Sequence, residues 1–164
     1  VGERAGRWVA GGLAVVLVAL LVAIGLVVTG DDDVDAGLTA AQQDVAGAAR
    51  REALAFLTVD HRDMDPLIDA VLDGATGGFA KQYASQRETL TSEAVRTEAT
   101  STPEVVALGV GDQDAESATV LVAANSTVTN TGTGADGQVR YYRLRLRLVR
   151  EDDRWLTSDL QFVR

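Results

Sequence analysis

Hydrophobic and polar positions fall into three regimes along the chain. From Trp8 to Val28, 21 consecutive residues carry no charge and are mostly Val, Leu, Ala, Ile and Gly. A helix rises ~1.5 Å per residue, so this run spans about 30 Å, the hydrocarbon thickness of a bilayer. A lone segment in lipid must satisfy its own backbone hydrogen bonds, which predicts a transmembrane helix over residues 8–28. From Thr39 to Glu93 apolar residues recur every three or four positions, the period of amphipathic helices. Beyond Glu104 they alternate, the period of strands.

The helical regime opens on Thr39-Ala40-Ala41-Gln42, a capping box in which Thr39 caps and Gln42 reaches back. Val45, Ala49, Ala53, Phe56 and Leu57 form one stripe, with Gln43, Asp44, Arg50, Arg51 and Glu52 mostly off it, so a first helix runs to about Thr58. Asp65-Pro66 reads as the cap and first residue of a second helix, with Leu67, Ile68, Val71 and Leu72 inward and Gly74 as its stop. A third begins after Gly77-Gly78 and carries Phe79, Tyr83 and Leu90 inward. Val95–Ala99 then alternates weakly, Pro103 interrupts it, and Glu104–Val110 is rich in β-branched residues before a turn at Gly111–Asp114. Ala118–Val128, Val139–Arg150 and Trp155–Val163 read as strands, joined by a Gly/Asp/Thr loop at 132–137 and a hairpin turn at 151–153. Helices followed by a strand meander predict an α+β domain: about three helices packed on a curved antiparallel sheet.

Charge orients the chain. Arg4 and Arg7 precede the apolar span, and Asp31, Asp32, Asp33 and Asp35 follow it. Basic residues stay on the cytoplasmic side, which predicts a cytoplasmic tail (1–7), an anchor (8–28), an acidic linker (29–37) and an extracytoplasmic domain (38–164) in the cytoplasmic membrane. A cleaved signal peptide has a shorter apolar core and a small-residue cleavage site, and Val34-Asp35-Ala36 matches that site poorly. The net charge is −9; the tail's Glu3, Arg4 and Arg7 contribute +1, leaving −10 beyond it. So acidic a domain repels phosphate backbones, and nucleic acid is excluded as a partner. With no cysteine, thiol catalysis, Cys-ligated zinc and disulfides are excluded too.

Little here announces catalysis. His61, the lone histidine, sits among charges in Asp60-His61-Arg62-Asp63 between two helices. A general base is one reading of it; a solvated connector is the simpler one. Gly74-Ala75-Thr76-Gly77-Gly78 lies between helices and not after a strand, so it is no phosphate loop. Ser85, Ser92 and Ser101 have no base nearby in sequence. No catalytic residue, metal or cofactor is expected. The unusual feature is Arg143, Arg145 and Arg147 alternating with Leu144, Leu146 and Leu148. Period two places all three guanidinium groups on one face, either paired with acids of an adjacent strand or free to dock an acidic partner. A pocket between sheet and helices, if the fold encloses one, is expected to be lined by Phe79, Tyr83 and Trp155, with Trp155 packing inward.

Several short stretches together resemble the actinobacterial Mce-associated membrane proteins. They are Arg51-Glu52-Ala53, Leu57-Thr58, Asp60, Arg62, Asp65 and Leu67, and Ala75-Thr76-Gly77 before Phe79 and Tyr83. Ala118–Val122, Thr127–Asn130, Tyr142–Leu146, Asp153–Leu156 and Ser158–Leu160 continue the match. The chain departs from that family at Val59 or His61, where an aromatic is usual, and at Asp153, where Gly is usual. The resemblance implies a cone-like domain similar to nuclear transport factor 2 and the SnoaL-type proteins. It also implies an accessory, non-enzymatic role beside the permease and substrate-binding proteins of an Mce-type lipid importer. Two alternatives stand beside that expectation. One is an assembly scaffold of another envelope machine, such as a secretion system. The other is a cone-fold enzyme or small-ligand binder.

Overall fold

The computed structural model describes residues 37–163. The expected tail, anchor and linker, residues 1–36, lie outside the described residues, and among the described residues no helix is long and apolar enough to cross a membrane. Four helices and five strands follow in order: α1 (Ala40–Leu57), β1 (Val59–Asp60), α2 (Met64–Gly74), α3 (Gly77–Ser85), α4 (Arg87–Thr97), β2 (Thr100–Gln113), β3 (Ser117–Thr129), β4 (Gln138–Glu151) and β5 (Arg154–Phe162). All strands pair antiparallel with their sequence neighbours, in the order β1-β2-β3-β4-β5. This is an α+β domain with helices packed on one antiparallel sheet, the arrangement expected of a cone-like fold.

Helix α1 starts where its capping box sits. The Gln42 amide donates to Thr39 Oγ1 at 3.3 Å, and the Thr39 amide donates to Gln42 Oε1 at 2.9 Å. Two of the donors left open at a helix start are thereby satisfied. The inward face of α1 is built from small residues, with Val45, Ala48, Ala49 and Ala53 buried. Small side chains let the helix backbone approach the sheet closely. There they meet Val120, Val122 and Ala124 of β3 and Leu144, Leu146 and Leu148 of β4, all buried. A second, smaller core joins Met64 and Ile68 of α2 to Ala94 of α4, with Leu67, Leu72, Tyr83 and Leu90 packed around it.

The structure corrects several boundaries. The expected third helix is two, α3 and α4, broken at Gln86, whose ψ is 0°. The domain therefore carries four helices and not three. Val95, expected to begin a strand, lies in α4, which ends at Thr97 with Glu98 at φ 51°. Pro103 does not interrupt β2: it sits inside that strand, opposite Ser126. The reason is positional. β1 pairs only with Thr100 and Ser101, so from Thr102 onward β2 is an edge strand, where the missing amide of proline costs little. Gly111–Gln113, expected in a turn, extend β2, and the turn falls at Asp114–Glu116 instead. There Asp114 Oδ1 accepts from the Glu116 and Ser117 amides. α2 begins at Met64, two residues before Pro66. Register shifts in β2 at Val105/Ala107 and Val110/Gln113, and between Arg147 and Leu148 against β5, mark bulges, which bend a strand and increase its twist.

Candidate functional site

Two surfaces compete for the functional role, one on each face of the sheet. On the outer face, strand alternation behaves as the sequence predicts. Arg143, Arg145 and Arg147 are exposed, while Leu144, Leu146 and Leu148 are fully buried. What lies beside the arginines decides whether they are neutralised. On the β3 side their register partners are Ala123, Leu121 and Thr119, with no acid among them. On the β5 side Arg147 faces Asp159, and Arg145 faces Gln161. Arg145 donates to Gln161 Oε1, and Gln161 in turn donates to Asp159 Oδ2 at 2.9 Å. Asp159 is the one carboxylate at a register position beside the stripe, and among the described residues none of the three arginines forms an ion pair. Next to the stripe is a shallow apolar groove of about 340 Å³, lined by Ala107, Gly109, Leu121, Ala123, Arg143 and Val163. Leu121 is 53% exposed there. An exposed leucine beside uncompensated positive charge on an acidic protein is the make-up of a docking surface.

On the inner side, α1, the end of α2, the β2–β3 turn and the β4–β5 hairpin enclose a larger cleft of about 720 Å³. Glu52 of α1 lines it and is 3% exposed. Its Oε1 has no hydrogen-bond partner among the described residues. Burial, and then the negative charge of Asp73, push the Glu52 carboxyl up to about 8. Gly74, the last residue of α2, makes room for it: a Cβ there would lie 2.0 Å from Glu52 Oε2. Gln113 also lines the cleft; its Nε2 donates to the Ala41 carbonyl at 3.2 Å, while its buried Oε1 is unpartnered. Arg154 is tied to Asp73 at 2.8 Å and Arg150 to Asp153 at 2.9 Å.

Of the aromatic trio expected to line a pocket, Trp155 lines this cleft and packs, half-buried, against the main core. Phe79 and Tyr83 do not join it. They pack tilted against Phe56 at centroid distances of 6.2 and 5.9 Å, in a cluster that Phe162 extends to Tyr142. His61 sits at the end of β1, its Nδ1 3.3 Å from the Ala99 carbonyl, and among the described residues no three acidic or histidine side chains converge as a metal site would require. Glu52 is the residue that sequence reasoning missed. Its charge sets it apart from the apolar stripe, yet it stands seven residues after Val45 and three after Ala49, which is on the stripe.

Several solved structures share the fold. An IcmL-like type IV secretion system protein from Legionella pneumophila superposes with a TM-score of 0.61 over 77% of this chain and 94% of its own, at 13% identity. The periplasmic domain of DotI gives 0.58, covering 77% of this chain and 98% of its own at 10% identity. VirB8 of Agrobacterium tumefaciens gives 0.55, covering 77% and 94% at 10% identity. At such identities the likeness is one of fold. No curated protein sequence matches the chain. Residues 8–164 match the family described as "Uncharacterized protein Rv1363c/MT1408-like", and the chain belongs to that Rv1363c/MT1408-like family.

Proposed function

We propose that this chain is a membrane-anchored, non-catalytic assembly subunit of an envelope machine, its folded domain facing outward and docking an acidic partner through the β3–β4 outer face. The observation that carries this reading is the stripe of Arg143, Arg145 and Arg147, with one facing acid and an apolar groove alongside. Charge complementarity of that kind steers association and rejects wrong partners. The uncharged span at 8–28, flanked by arginines before and aspartates after, supports the anchor and the outward orientation. The fold neighbours support a scaffold in a secretion-type assembly more than an accessory to an Mce-type importer, because one of them is described as a type IV secretion system protein and another as a periplasmic domain.

Affinity capture of the full chain from detergent-solubilised membranes tests the assignment. Recovery of subunits of a multi-protein envelope assembly is the expected result. Recovery of Mce substrate-binding proteins and a permease would return the chain to the importer, and recovery of no membrane protein would overturn the scaffold reading. Orientation is checked separately by a reporter fused after Arg164, expected to be active only outside the cytoplasm.

A further inference from the structure

The geometry of the outer sheet face limits what can occupy it. Its three arginines alternate along β4, so neighbouring ones stand about 6.8 Å apart and the stripe runs about 14 Å. An extended segment laid on a sheet face cannot pair its backbone with strands that already bond to one another, and it would bury its own amides unsatisfied. A helix satisfies its backbone internally. The same face of a second copy is opposed by charge, because it would set three arginines against three arginines. The face therefore fits a helix with a carboxylate at every fourth residue, a spacing of about 6 Å along its axis.

The chain itself carries such a helix. On α2, Asp65, Asp69 and Asp73 follow one another at four-residue steps, a line about 12 Å long. Among the described helices no other holds three acids at that spacing. Met64, Ile68 and Val71 fix the inward side of α2, and the three aspartate side chains are 76%, 67% and 75% exposed. Arg87 binds both Asp65 and Asp69, and Arg154 binds Asp73 at 2.8 Å. Such exposed pairs hold weakly, and one arginine shared by two carboxylates does not neutralise both. Beside the aspartates Pro66 and Ala70 are exposed. They offer a small apolar surface, matched to the protruding Leu121 and the groove beside the arginines.

We infer that the acidic partner of the outer face is a second copy of this chain, whose α2 lies along the stripe with Asp65, Asp69 and Asp73 against Arg143, Arg145 and Arg147 and with Pro66 and Ala70 over Leu121. The inference rests on the docking reading above and names its occupant. Helix α2 belongs to the helix layer, and the stripe lies on the other side of the sheet, so one copy cannot close the contact on itself. The contact joins two different surfaces, and each copy keeps one of each open. Assembly then runs on into a ring or a filament and does not stop at a dimer. The negative charge of the domain opposes approach at long range. At about 0.15 M salt, charges more than ~8 Å apart are screened, and the groups in contact decide.

Sedimentation velocity of the full chain in detergent, at about 0.15 M salt, tests this with two variants. One reverses the stripe with Arg143→Glu, Arg145→Glu and Arg147→Glu. The other reverses the helix with Asp65→Lys, Asp69→Lys and Asp73→Lys. Wild type is expected to form species beyond a dimer as its concentration rises. Each variant alone should self-associate at least tenfold more weakly, because like charges then meet. An equimolar mixture of the two should recover assembly, because each reversed surface finds its complement on the other variant. Cross-linking covers the case in which the helix reversal prevents folding. The chain has no cysteine, so Asp69→Cys combined with Arg145→Cys and a short bis-maleimide should give a ladder past the dimer, and neither substitution alone should give one. A wild type that stays monomeric, a double-cysteine chain without a ladder, or a mixture of folded variants that fails to assemble would overturn the inference. In that event, a membrane partner still lost on stripe reversal leaves the docking face standing with a different acidic occupant. A membrane partner retained on stripe reversal removes the docking reading as well.

Discussion

At the scale of single residues, the chain contains two local costs with measurable consequences. Glu52 titrates near 8 in the folded protein, well above the ordinary value of 4.5. The folded state therefore binds more protons than the unfolded state between those two values, and stability falls as pH rises through that window. The slope from this one group is at most about 1.4 kcal/mol per pH unit. Glu52→Gln should remove it. Wild type and variant are expected to lie close together near pH 4, with the variant increasingly the more stable toward pH 8. Denaturant melts across that range check the difference, and parallel curves would mean the carboxyl is solvated. The second cost is in the last hairpin, where Asp152 and Asp153 have φ of 46° and 63°. Left-handed backbone is strained for residues with a Cβ, and Asp-Gly is a favoured pair in such a turn. The Asp153–Arg150 pair is exposed and adds little. Left-handed backbone costs an L-residue about 1–2 kcal/mol, of which glycine's greater unfolded-state freedom takes back part, so Asp153→Gly should raise stability, read as a higher melting temperature.

At the scale of elements, the alternation in β3 and β4 is the part of the fold most directly written in the sequence. Leu146 is fully buried and Leu121 is 53% exposed, one strand apart and opposite in facing. Leu146→Ala is expected to cost ~2–5 kcal/mol, and Leu121→Ala about 0.5 kcal/mol or less. Chemical denaturation of the two variants measures the contrast, and comparable losses would mean the outer face is covered by folded structure. The capping box of α1 was equally legible, because its two hydrogen bonds depend on residues three apart. The break between α3 and α4 was not: Gln86 is neither Gly nor Pro, and the apolar positions Tyr83 and Leu90 keep a helical spacing across it. β1 was invisible because two residues carry no period, and its pairing depends on where the distant Thr100 and Ser101 arrive. Pro103 misled for the converse reason: whether a proline breaks a strand depends on having a neighbour on both sides, which is a fact of tertiary structure.

At the scale of the whole molecule, the fold separates two chemistries on opposite sides of one sheet. The outer side carries positive charge beside exposed apolar surface, and the inner side carries acids around a cleft. The arginine stripe was readable from period two alone. Its lack of acid partners was not, since that required knowing that Ala123, Leu121 and Thr119 stand beside it. At the cleft stands Trp155, an aromatic that sequence can single out, whereas the charge of Glu52 conceals its inward position. His61 belongs to neither surface, and His61→Ala is expected to leave the protein's activity in cells intact, measured by complementation of a deletion strain. The central claim, docking through the outer face, is tested most directly by Arg143→Glu, Arg145→Glu and Arg147→Glu combined in the full chain, with co-purified partners quantified against wild type. The reversed side chains are solvent-exposed, so the domain should keep its fold and its melting transition. The account predicts a loss of recovered partner of at least tenfold, steeper at low salt than at high. An unchanged partner yield from a folded triple variant would contradict it.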